Sequence, residues 1–282
     1  DPDLYKEFMN GRRTYALKTN TEEDDYSDLA GFIDILNNTP LNQLPCELEQ
    51  VFNVDTYLKV IAMDIFTANW DGPIYNKNNF YLYKNSRTGK FEYIPYDLDN
   101  TFGIDWFSEN WAERDMYNWS KSNRPIYERI LDVPEYRARY SYYTNLFLQN
   151  IYHPGLWNVK LDNLRDLISD SAEDDPFRPQ DYGFTFDHFK TAFDEGLSFF
   201  HTPVGIREFM DTRRNATLDQ LDLENISPII TDISNNYPNE NQELIITANI
   251  TDEAISVVEV CYFANGQGPN CFEMFDDGTH ND

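Results

Sequence analysis

The sequence predicts an α+β protein in two parts. A mostly helical domain carries one β-hairpin, and a truncated β-sandwich module follows it. Three observations carry that expectation. Apolar residues recur at helical spacing over much of the chain up to Leu221. Two short aromatic runs flank a Gly-containing turn between Asn79 and Tyr96. From Ser227 onward the pattern changes to short β-branched runs with turn residues between them.

The segment Asp1 to Asn20 is polar and without a clear period. In YSDLAGFIDIL (Tyr26 to Leu36), Leu29, Phe32, Ile33, Ile35 and Leu36 line one helical face. Asn37 to Pro40 should end that helix. Asp55 is the expected N-cap of a second helix, TYLKVIAMDIFTA, which is apolar nearly all round and therefore expected to be buried. Asn69-Trp70-Asp71-Gly72-Pro73 breaks it. NFYLYK (Asn79 to Lys84) and KFEYIPY (Lys90 to Tyr96) predict the two strands of the hairpin, and the second runs straight into Asp97-Leu98-Asp99-Asn100. Further helices are expected over Pro125–Leu131, Glu135–Ile151, Asn158–Ser171, Phe186–Phe200 and Val204–Leu221. SPIITDIS, ELIITANIT and SVVEVCYFAN then read as strands. A boundary close to Asn225 gives domains 1–225 and 226–282. A full sandwich needs about 100 residues, so the second is expected to be cut short.

Charge narrows the function classes. Of 282 residues, 22 are Lys or Arg and 49 are Asp or Glu, a net charge of −27. Such a surface excludes a general nucleic-acid backbone binder, but it leaves room for a nucleotide site in which a cation reverses the local field. It also suits a secreted or salt-tolerant protein. No run approaches the roughly 18 apolar residues of a membrane helix, and no signal peptide is present. A chain that starts at Asp1 and stops inside a polar run is expected to be a piece of a larger protein. Cys46, Cys261 and Cys271 make no Cys/His cluster, so a zinc site is not expected. Cys261 and Cys271, ten apart in a β-like segment, suit either a disulfide in an exported protein or two buried thiols.

No phosphate-loop, dinucleotide, zinc-protease or nucleophile-elbow motif is present, and the four histidines have no partner spacing. The informative stretch is Asn69 to Gly103. A hairpin brings its two ends together, so Asn79 and Asp97 should be neighbours, with Asp71 in reach of both. One acid beside Asn76, Asn78 and Asn79 would then face the acids Asp97 and Asp99. Metal-assisted phosphoryl transfer needs such a set: hard oxygen ligands for magnesium, and one acid to take the proton of an attacking hydroxyl. In kinases the catalytic Asp precedes a metal-binding Asn by five positions, the spacing of Asp71 and Asn76. The same residues also suit plain turn chemistry or a structural calcium loop. A metal-dependent phosphodiesterase fits the acids but not the net charge or the lack of a histidine base.

NWDG, the NNFYLY strand and F-x-YIPYDLDNTFG resemble the CotH family, the bacterial spore-coat-type atypical protein kinases. YALKTN (Tyr15 to Asn20) and LAGFIDILNN (Leu29 to Asn38) are similar to the middle region of that family, and the resemblance covers roughly Asp1 to Leu221. It implies a much-reduced kinase-C-lobe-like domain that uses ATP and one or two Mg2+ to phosphorylate a protein Ser/Thr hydroxyl. Asp71 would be the catalytic Asp, Asn76 or Asn79 the metal-binding Asn, and Asp97 the metal-binding Asp with Asp99 beside it. It implies further that most of the N-terminal lobe, with its phosphate-contacting Lys, precedes this chain. Lys18 is the one early lysine in a recognisable context, and it reads equally as a solvated side chain. The tail from Ser227, ending near Asp276-Asp277-Gly278, resembles the Ig-like module of exported multidomain proteins, with a cell-surface or glycan partner. The alternative expectation is a non-catalytic surface module whose acidic loop holds Ca2+.

Overall fold

The hydrophobic run after Asn53 forms the helix on which the first part of the molecule is built. The computed structural model describes residues 8–9, 12–13, 15–23, 25–180, 182–197, 201–252, 254–264 and 267–276. The expectations at Phe199, Phe200, Asp277, Gly278 and His280 lie outside these residues. The chain divides into two compact units, Asp1–Leu223 and Glu224–Asp282.

In the first unit, β1 (Phe8–Met9) and β2 (Arg12–Arg13) pair antiparallel. Helix α1 (Ser27–Asn38) runs two residues past Leu36 and stops where Thr39, which precedes Pro40, turns extended. Helix α2 (Leu44–Val51) was not expected. Its signal is only Leu44 and Leu48, both fully buried, with Pro45 in its first turn. Helix α3 (Val54–Phe66) is capped by Asn53, whose side chain accepts from the Thr56 N–H at 3.2 Å. This corrects the expected Asp55 cap. Starting earlier buries Val54, and the Asp55 carboxylate instead accepts from Lys59 Nζ at 2.8 Å and from the Tyr143 hydroxyl. Tyr57, Leu58, Ile61, Ala62, Ile65 and Phe66 of α3 are buried, as expected of an all-round apolar helix.

The hairpin forms with β3 (Phe80–Lys84) and β4 (Phe91–Pro95), paired from Phe80↔Pro95 to Lys84↔Phe91. Period-two alternation sends Phe91 and Tyr93 inward. There Phe91 packs on Phe32 (5.4 Å between ring centroids) and Tyr93 meets Tyr57 edge-on at 5.4 Å. Each such buried aromatic contributes roughly 1.5–3 kcal/mol. This joins the hairpin to α3 and fixes what lies at its ends.

The remaining helices are α4 (Glu128–Leu131), α5 (Pro134–Asn150), α6 (Pro154–Glu173), α7 (Phe186–Thr191) and α8 (Ile206–Gln220). The expected helix over Phe186–Phe200 is therefore cut to its first part. The Cβ of any residue replacing Gly196 would stand 2.2 Å from the Pro203 carbonyl oxygen, so the chain folds back on itself there. Helices α5 and α8 pack on α3. Arg213 of α8 is fully buried and donates to the carbonyls of Ile65 (3.0 Å) and Arg114 (2.5 Å), with its guanidinium over the Trp119 ring. Burial holds its pKa down to about 10, against the pull of Tyr140, Tyr127 and Asp115. A charged strut thus ties α8 to the end of α3.

In the second unit, β5 (Ile229–Asn235) pairs with β6 (Ile246–Thr251), and β7 (Glu259–Ala264) with β8 (Gln267–Glu273). Both pairs are antiparallel two-stranded sheets. Strand β8 was not expected, because QGPNCFE carries Gly, Pro and Asn. Cys261 stands opposite Cys271 in register, and the two form a disulfide. Both residues are exposed, which corrects the alternative of two buried thiols. No helix among the described residues is long and apolar enough to cross a membrane.

Candidate active site

Two loops meet beside the hairpin. The first follows α3. Thr67 ends the helix, Ala68 adopts a left-handed conformation (φ +59°), and Asn69 donates its N–H back to the Asp64 carbonyl at 2.8 Å. A left-handed alanine is strained by roughly 1–2 kcal/mol, and surrounding contacts must hold it. This reversal places Asp71 half-buried at the mouth of the helix. The second loop follows β4. The chain leaves Pro95, Tyr96 donates its N–H to the Asn79 carbonyl at 3.1 Å, and Asp97 is left-handed at φ +56°.

The two loops are stitched together twice through backbone carbonyls. Phe102 donates its N–H to the Thr67 carbonyl at 2.8 Å. The Trp70 indole Nε1–H donates to the Ile104 carbonyl at 2.8 Å, and its ring stacks with Trp111. Between these two bonds, Gly103 packs against the start of α8. It sits at φ +92°, and a Cβ there would stand 2.5 Å from Val204 Cγ2.

Asp71 is the hub. Its Oδ1 accepts from Asn76 Nδ2 at 2.5 Å, and its Oδ2 accepts from Asn79 Nδ2 at 3.0 Å and Asn100 Nδ2 at 3.5 Å. Asn100 Nδ2 also reaches Asp99 Oδ1 at 3.0 Å. The fold therefore brings Asp71, Asn76, Asn79, Asn100 and Asp99 into one hydrogen-bonded cluster, and Asp97 is exposed in the same loop, next to the Tyr96 that bonds to Asn79. Asn76 and Asn79 commit their N–H donors to Asp71, which leaves each amide Oδ1 as a hard oxygen donor. Among the described residues no three His, Cys, Asp or Glu side chains gather as a metal cage. A cation here would draw on carboxylate and amide oxygens, with phosphate and water completing its shell, which is the habit of magnesium.

Behind the cluster, Asp64 of α3 is 6% exposed and accepts from the Tyr93 hydroxyl at 3.3 Å. Burial pushes its pKa up to about 6, tempered by Asn69 and Tyr93. Lys121 Nζ lies over the rings of Tyr75 (4.7 Å) and Phe107 (4.9 Å), so a cation stands against the loop that carries Asp71. Lys18 is exposed. An open concavity of about 420 Å3 lies against α8 and Glu113, and no residue of the cluster lines it. Asn100, Trp70 and Gly103 carry structural roles that the sequence did not reveal. Each lay inside a motif already picked out, but its role depends on a partner distant in the sequence.

The CotH kinase protein family is matched over residues 5–236. Inner spore coat protein H of Bacillus subtilis is 33% identical over 167 residues, 59% of this chain and 44% of that protein. Invasin CotH7 of Rhizopus delemar is 27% identical over 114 residues, 38% of this chain and 18% of that protein. The matched stretch covers less than half the length of either relative.

Proposed function

The chain belongs to the CotH kinase protein family, and from that membership we propose that it transfers the terminal phosphoryl group of ATP to a Ser or Thr hydroxyl of a protein. The observation that carries the reading is the Asp71 carboxylate, held by three amides, one of which, Asn100, also donates to Asp99. Asp71 orients the acceptor hydroxyl and takes its proton as the oxygen attacks the γ-phosphorus and ADP leaves. Asn76 or Asn79, through Oδ1, and Asp97 with Asp99 would hold the metal. Magnesium, when bound, neutralises charge on the phosphates. The three amide donors fix the direction of the Asp71 lone pairs, so little reorganisation is needed at the moment of reaction.

We place the protein outside the cytoplasm, on a cell or spore surface. The names of the two relatives, a spore coat protein and an invasin, support this, and so does a disulfide of the kind that persists in oxidising compartments. The second unit is read as the start of an Ig-like module, on the strength of its paired antiparallel strands.

The test is transfer of labelled γ-phosphate from Mg-ATP to added spore-coat or surface protein. Asp71→Ala should lower turnover by about 10²–10⁴-fold, the usual worth of a general base, with its unfolding curve unchanged in shape. An Asp71→Ala protein with wild-type turnover would overturn the assignment. A thermal shift with calcium alone, and none with magnesium plus ATP, would favour a structural acidic loop instead.

A further inference from the structure

We propose that Asn100 is a positioning residue that sets the Asp71 carboxylate relative to the Asp97–Asp99 segment; this deepens the phosphoryl-transfer reading and rests on it. The Asn100 Nδ2 stands between two carboxylates, 3.0 Å from Asp99 Oδ1 and 3.5 Å from Asp71 Oδ2. A carboxamide nitrogen carries two N–H donors, one for each acid. The acids lie on different loops, one after α3 and one after β4, and their like charges repel. A neutral double donor between them offsets that repulsion without adding charge.

The three amides on Asp71 are not equivalent. Asn76 and Asn79 belong to the segment that leads from Asp71 into β3. Asn100 alone of the three comes from the loop after β4, so it is the amide that relates Asp71 to the acids expected to hold the metal. The loops themselves are fixed by other bonds, Phe102 N–H to the Thr67 carbonyl and Trp70 Nε1–H to the Ile104 carbonyl, both 2.8 Å. Removing the Asn100 side chain therefore leaves the loops and the Asn76 and Asn79 bonds to Asp71 in place, and takes away only the side-chain link between the carboxylate and the loop after β4.

Two measurements on the full chain test this. In the first, urea unfolding midpoints are compared for wild type, Asn100→Ala, Asp71→Ala and the double variant. A direct contact predicts that the Asn100→Ala shift changes size once Asp71 is gone. Strictly additive shifts would overturn the proposal, and no catalytic activity is needed to see them. In the second, phosphoryl transfer is measured for Asn100→Asp, which keeps the shape and loses the donors, and for Asn100→Gln, which keeps the donors. Asn100→Asp should lose about 10- to 100-fold in kcat, with the KM for ATP within about twofold. Asn100→Gln should recover part of that loss, whereas a merely structural role would not distinguish the two. A kcat for Asn100→Asp within about twofold of wild type would overturn the proposal. If Asp71→Ala keeps wild-type turnover, or the wild type shows none, the kinase reading falls, and the unfolding cycle still decides whether Asn100 couples the two loops.

Discussion

Asp64 sits in the last turn of α3, and its backbone carbonyl anchors the reversal that presents Asp71. Its side chain is buried, and that burial raises its pKa from 3.8 to about 6. The folded state therefore holds a proton that the unfolded chain releases. The stability this provides is fully present below pH 4 and is lost as pH rises through about 6. The shift corresponds to about 3 kcal/mol at neutral pH. Asp64→Asn should remove that loss, because a neutral amide can still accept from Tyr93. Urea unfolding at pH 4, 5, 6 and 7.5 should show the variant gaining on wild type by up to that amount as pH rises. A constant difference between the two proteins across the range would refute the argument. The protein thus keeps an ionisable, unfavourably buried group at the root of its candidate site, beside a left-handed Ala68. Strain of this kind is often concentrated where function requires a fixed geometry.

At the scale of elements, the loop after β4 packs on the start of α8 through Gly103. Gly103→Ala forces a Cβ to within 2.5 Å of Val204 Cγ2 on a backbone at φ +92°. The conformational cost and the overpacking together should destabilise the first unit by about 2–4 kcal/mol. Because Phe102 and Ile104 carry the bonds to Thr67 and Trp70, activity should fall by more than the loss of folded protein accounts for. Unfolding by urea together with turnover per folded molecule checks this, and a variant as stable as wild type would show that the contact relaxes freely. What the sequence could reveal here follows from the range of the interactions. Helix α3 and the hairpin were legible because their signals are local: an unbroken apolar run, and aromatic alternation around Asn85–Gly89. The Asp71–Asn76 spacing was legible for the same reason. Helix α2 was not, since only Leu44 and Leu48 mark it, and the shortened α7 was not, since Gly196 matters only through its approach to Pro203. Asn100 lay within a recognised motif, yet its role depends on Asp71, 29 positions away in the chain.

For the whole molecule, the net charge of −27 means that compact packing of either unit works against self-repulsion, which salt screens. The two units meet that load with different means. The first buries a core of aromatic residues around α3, with hydroxyls such as that of Tyr57 bonded to carbonyl oxygens, here Ile126 at 2.8 Å. The second has two two-stranded sheets, many exposed apolar side chains such as Ile233 and Phe263, and one covalent bond across β7 and β8. Two-stranded sheets alone are marginal in water, so the disulfide should matter more to this unit than to the first. A crosslink closing a separation of ten residues contributes about 2.7 kcal/mol by chain entropy. Reduction, or Cys261→Ser, should therefore raise the susceptibility of residues beyond Leu223 to protease. The unfolding transition of the first unit, and the phosphoryl transfer proposed for it, should stay where they were. Calorimetry with limited proteolysis, with and without dithiothreitol, reads both at once. If reduction lowered the transition of the first unit by the same amount as that of the second, the two would unfold as one cooperative body, and the stability of the Asp71 site would have to be assigned to the entire chain.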